Sequence, residues 1–181
     1  MFFTQRTILG RFLIVKKTLE KTRYQNLVLE GVNRILEQAF SCETEEDLGR
    51  ICLSVAEEVT GSRFGFIGEV RDGVLNDIAI SDPGWVACTM GDQTGHRMLP
   101  VGLKVHGIYG RVMQDGKGFF TNDPTSHADR IGLPQGHPPL KAFIGVPLSH
   151  EGKTIGMIGL GNREGGYSQE HLEALEMISP A

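Results

Sequence analysis

Cysteine is scarce and unpatterned in this chain. Cys42, Cys52 and Cys88 are odd in number and show no C-x-x-C spacing, which excludes a disulfide-built fold and fits reduced thiols in a cytosolic compartment. Long hydrophobic runs are also missing. No segment reaches the roughly 18–20 apolar residues that cross a bilayer, and the run from Phe12 to Val15 is closed in by Arg11 and Lys16. No apolar h-region followed by a small-residue cleavage site marks a secretory leader. Basic charge is not in excess, since 18 Lys and Arg stand against 22 Asp and Glu for a net charge of -4. That balance argues against a nucleic-acid partner. Finally, there is no nucleophile elbow, P-loop or kinase motif, so nothing points to an enzyme. Gly159, Leu160, Gly161 and Gly165 follow a strand, but their spacing is wrong for a dinucleotide loop and too little chain remains for a second βαβ strand.

What is present is punctuation between two hydrophobic periods. From about Gln5 to Phe40 the chain has no proline and few glycines. Val28, Val32, Ile35 and Ala39 make one helical stripe, and Leu29, Val32, Leu36 and Phe40 an adjacent one. Two stripes exceed what one packing face needs, so one is expected on the body. The stripe Val28, Val32, Ile35 and Ala39 is expected to form a parallel dimer seam, since a helix this long outruns a compact body. A single broad face is the alternative, and Arg11 to Val15 could be the strand tail of an upstream domain. A second helix is expected from Thr44, an N-cap followed by Glu45, Glu46 and Asp47, to Gly61 at its C-terminal end.

The period then changes to two. Phe64 to Val70 and Val74 to Ser81 read as a hairpin across Asp72 and Gly73, with Ile78 and Ile80 on one face. Asp82 to Leu103 and Asn122 to Pro139 read as long loops, separated by a short helix around Ile108 and Val112 and a strand from Phe119 to Thr121. Lys141–His150 and Thr154–Asn162 are the last strands, and Ser168 caps a final helix carrying Leu172 and Leu175. Consecutive hairpins with helices at the ends of the sequence imply an α+β fold with an antiparallel sheet.

The stretch from Gly136 to Leu148 (GHPPLKAFIGVPL) resembles the penultimate-strand motif of bacterial GAF domains, and Gly152 to Asn162 resembles the strand after it. Ile80 to Trp85 and Gly110 to Met113 are similar to a subgroup found in sensor histidine kinases and related signalling proteins. The resemblance covers roughly Gly31 to the C-terminus. It implies the GAF (PAS-like) fold: a five- or six-stranded antiparallel sheet, terminal helices on one face, and loops roofing a pocket on the other. The division expected is a helical signalling linker over 1–30, with the tail of an upstream domain as an alternative. A GAF domain over 31–181 follows, truncated in or after its last helix.

The function implied is a cytoplasmic sensory module of a larger signal-transduction protein, a sensor histidine kinase. It would be a homodimer through its N- and C-terminal helices, bind an unidentified small molecule, drive a downstream output domain and make no membrane contact. A ligand-free dimerisation or protein-interaction scaffold is the second reading. A sulfoxide reductase of the GAF type is a third, and would need paired pocket cysteines. Family ligands include cyclic nucleotides, bilins and haem. The cyclic-nucleotide signature is absent, as is the Cys-His pair that attaches bilin, which leaves the cofactor unknown and haem possible.

The candidate pocket comprises Trp85, Cys88, Met98, His106, Ile108, Val112, Phe119, Asn122, Asp123, His127, His137 and Phe143. The apolar members would form its wall, although core packing would explain them too. Asn122, Asp123 and His127 are candidate polar contacts or turn caps. His96, His106, His127 and His137 fall in irregular stretches without metal-ligand spacing, and are either loop-capping residues or a ligand for haem iron or an anion. Cys88 is a thiolate ligand or a packing residue.

Overall fold

A computed structural model describes residues 2–87, 101–133 and 136–179. Helix α1 (Phe2–Ala39) leads into α2 (Glu45–Thr60), strands β1 (Phe64–Arg71) and β2 (Val74–Ile80), and the short α3 (Asp82–Ala87). Then come β3 (Leu103–Lys104), α4 (Gly107–Asp115), β4 (Phe119–Thr121), β5 (Phe143–His150), β6 (Lys153–Gly161) and α5 (Gln169–Ile178). The six strands form one sheet in the order β3-β2-β1-β6-β5-β4, and every neighbouring pair is antiparallel.

Local chemistry sets the boundaries. Thr44 Oγ1 accepts the Asp47 backbone N–H at 3.0 Å and starts α2, and Gly61 at φ 67 ends it with its N–H on the Glu57 carbonyl. The β1–β2 turn places Asp72 and Gly73 at φ 53 and 79, the left-handed pair that a two-residue hairpin requires. Pro147 fits within β5 because β4 stops pairing opposite Gly145, so its nitrogen owes no ladder bond on that side. The final helix opens with a capping box in which His171 replaces the usual carboxamide or carboxylate, its Nδ1 accepting the Ser168 N–H at 3.0 Å.

Helices α1, α2 and α5 cover one sheet face and α4 the other. α2 lies close on the sheet at Gly49, where a Cβ would come within 2.9 Å of Ala79 Cβ. On the outer side of α2, Val28 and Ile35 of α1 bury with Val55, Val59, Ala174 and Ile178. The seam expected on Val28, Val32, Ile35 and Ala39 is therefore corrected. Val28 and Ile35 are 2% and 0% exposed and Val32 packs on the same cluster, because this stripe is what covers the apolar backs of α2 and α5. The adjacent residues Leu29, Leu36 and Phe40 are the exposed ones, at 51%, 47% and 95%. The run Arg11 to Val15 is helical, inside α1.

A second correction concerns β2. The pairing slips between Ile67 and Gly68, so Ile67 meets Ala79 while Gly68 meets Asp77. This bulge adds one residue to β2, and both Ile78 and Ala79 approach Gly49 of α2. Ile80 pairs with Phe66, which packs on the α4 side. Ile78 and Ile80 thus lie on opposite faces, not on one.

Candidate functional site: the sheet face under α4

The face covered by α4 is apolar at its centre. Leu75, Val112, Phe143 and Met157 are buried, with Phe66, Val105, Ile108, Tyr109, Met113 and Phe119 packed around them. Glycines in β6 make room for this layer: a Cβ on Gly159 would stand 2.5 Å from the Phe66 ring. The expected wall residues Ile108, Val112, Phe119 and Phe143 are therefore brought together. Phe119 lies 5.7 Å from the Phe143 ring and 5.6 Å from that of His127. Arg111 stands 5.6 Å above Phe119, held by Asp129 at 3.1 Å and Asp115 at 3.3 Å.

The polar candidates divide differently. His106 is the exposed N-cap of α4 and makes no side-chain cap bond. His127 Nδ1 accepts the Asp129 N–H at 3.2 Å, and His137 Nδ1 sits 2.7 Å from the Pro138 carbonyl, so both serve local turns. Asp123 accepts from the Thr125 hydroxyl at 2.7 Å and the Ser126 N–H at 3.2 Å; the Thr125 bond foremost holds its carboxyl below the usual range. Asn122 turns away from the α4 face altogether and clamps the backbone of Tyr167. Trp85 is on α3, but its side chain lies outside the described residues, as do Cys88, Met98 and His96 in full. Of the described thiols, Cys42 lies in the α1–α2 turn and Cys52 lies on α2, where burial pushes its thiol up to about 11.

One group on this face was not foreseen. Asp77 is mostly buried on β2 and its Oδ1 has no hydrogen-bond partner. Burial alone pushes its carboxyl up to about 7. Its charge in turn raises Tyr109, second to that residue's own desolvation, which places it under α4. The sequence signal was the acid itself, alternating with Leu75 on a strand otherwise read for its isoleucines.

The opposite side carries a cleft of about 520 Å³ where α1 crosses the end of α2 and the start of α5. There Lys17, Lys21 and Arg163 face Glu20, Glu58 and Glu170, a balanced set that selects for neither sign. Among the described residues no His, Cys, Asp and Glu group could hold a metal ion, and no helix is long and apolar enough to cross a membrane.

A family profile described as the GAF domain matches residues 42–180. The chain belongs to the GAF family. Solved structures agree on the fold. The GAF domain of a phosphoenolpyruvate-protein phosphotransferase from Coxiella burnetii superposes with a TM-score of 0.65 at 16% identity, covering 83% of this chain and 90% of that one. The free methionine-R-sulfoxide reductase of Neisseria meningitidis, solved with its substrate, gives 0.61 at 13% identity over 86% of each chain. Residues 122 to 287 of a methyl-accepting chemotaxis protein give 0.59 at 15% identity over 83% and 90%. This GAF chain thus belongs to a family of signalling and sensory domains whose fold also carries an enzyme.

Proposed function

We propose that this GAF domain is a non-catalytic cytoplasmic sensor within a larger signalling protein, of sensor-histidine-kinase type. In this reading it takes a small ligand on the α4 face and transmits through paired α1 helices to an output domain. The observation that carries the reading is the division of labour between the two sheet faces. α4 and its surrounding loops lie on one side, and α1, α2 and α5 share a single buried cluster on the other. β1 and β6, packed on both sides, join the two. A ligand favouring one arrangement of α1 against α5 shifts the population by its differential affinity.

The dimer contact in this reading is the stripe Leu29, Leu36 and Phe40, with steps of seven and four residues. At 38 residues α1 is about 57 Å long at 1.5 Å per residue, which gives it surface beyond what the body covers.

A second reading, a scaffold without a ligand, is favoured by the complete burial of Leu75 and Met157 of the sheet together with Val112 of α4. Native mass spectrometry with an absorption spectrum on the purified chain separates the two. A dimer carrying a bound small mass or a chromophore supports the sensor. A dimer at apo mass, unchanged by cell extract metabolites, supports the scaffold.

A further inference from the structure

We infer that Asp77 is the recognition group for a small organic cation, a protonated amine or guanidinium on an apolar body, bound at the β2 side of the α4 face. The inference rests on the sensor reading above and names its ligand class.

A buried carboxylate without a counter-charge is costly to keep in a fold, and among the described residues none is bonded to its Oδ1. Its Oδ1 lies over Gly68 of β1, where a Cβ would come to 3.1 Å from that oxygen. The absence of a side chain at Gly68 makes this cradle. Tyr109 faces Asp77 from α4, but its hydroxyl is committed to the Lys104 carbonyl at 2.7 Å. Of the described cations, Arg71 is paired with Glu69 and Glu45, and Arg111 with Asp115 and Asp129. Beside the carboxylate lie Leu75, Phe66 and Tyr109 of the apolar layer. An acceptor at the edge of such a layer selects a ligand with a positive donor at one end and an apolar remainder. β3 pairs only with Val74 and Leu75 and stops short of Asp77.

The test uses the whole chain and three probes of one shape: phenethylamine, 2-phenylethanol and phenylpropionate. Chemical-shift titration of the Asp77 carboxyl, assigned with Asp77→Asn, is followed with and without each probe. The expected result is that phenethylamine alone lowers the Asp77 pKa by at least about one unit. It also binds at least tenfold more weakly to Asp77→Asn, because removing one partner of a buried charge pair weakens binding by at least that factor. Asp77→Asn is itself expected to fold, since it removes a desolvated charge. Binding of the alcohol or the acid as tightly as the amine overturns the cation assignment and leaves the ligand site standing. An Asp77 resonance unmoved by all three probes overturns the assignment of an amine. If that chain also runs as a dimer at apo mass after exposure to cell extract metabolites, the sensor reading falls with it.

Discussion

Asn122 holds the backbone of Tyr167 at both of its polar atoms, 45 residues away in sequence: its Oδ1 accepts the Tyr167 N–H at 2.7 Å and its Nδ2 donates to the Tyr167 carbonyl at 2.9 Å. The amide thereby fastens the segment after β4 to the turn that launches α5. Tyr167 is itself fastened to the end of α2, its hydroxyl 2.8 Å from Ser62, which in turn lies 2.6 Å from Thr60. The pairing explains why an apparent ligand contact is spent on architecture.

Asn122→Ala removes both bonds, and is expected to lower stability by about 1–3 kcal/mol in urea unfolding. Asn122→Asp keeps the acceptor and loses the donor, so its loss should be smaller. Equal losses in the two variants would show that the Nδ2 bond alone carries the clamp.

Ile35 and Leu36 are neighbours in sequence with opposite surroundings. Ile35→Ala should cost about 2–5 kcal/mol, as for a fully buried side chain. Leu36→Asp combined with Leu29→Asp should leave monomer stability within about 0.5 kcal/mol and convert a dimer to a monomer in sedimentation velocity. A dimer that survives the double Asp variant would place the contact elsewhere.

Asp77 gives the chain a pH dependence of defined sign. Burial raises its carboxyl from the ordinary 3.8 to about 7, so the native state binds the proton more tightly than the unfolded one. Stability should therefore be highest below the unfolded pKa and fall as pH rises from about 4 to 7. Asp77→Asn should be more stable than the parent by up to about 4 kcal/mol at pH 8 and converge with it near pH 4, scaling the shift at 1.36 kcal/mol per unit. Parallel denaturation curves of the two proteins across pH measure it.

Gly159→Ala places a Cβ 2.5 Å from a ring carbon of Phe66. Overpacking of this kind costs about 1–3 kcal/mol, and Phe66→Leu in the same chain should recover part of that loss. A loss that persists in full would assign the cost to the β6 backbone.

The elements themselves were legible in the sequence because their signals are local. Thr44 and Gly61 bound α2 by the hydrogen bonds they make within one turn, Asp72 and Gly73 make the hairpin by their own φ angles, and the strand motif around Phe143 to Leu148 carried the family. Of the candidate site, Ile108, Val112, Phe119 and Phe143 came together because apolar residues on facing elements must bury. What the sequence did not determine was which of two adjacent stripes on α1 faces inward, and the expectation that Val28, Val32, Ile35 and Ala39 form an outer seam was reversed. That was settled by Val55, Val59, Ala174 and Ile178, which lie on other elements. Likewise, one residue added by the bulge opposite Ile67 and Gly68 separated Ile78 from Ile80. Alternation alone cannot reveal a register slip, since the slip depends on the partner strand. Asn122 was expected to touch a ligand and Asp77 was not singled out, for the same reason. A polar side chain becomes a clamp or an unpaired acceptor according to what other segments bring to it, and only the tertiary structure brought Tyr167 to the first and, among the described residues, no partner to the Oδ1 of the second.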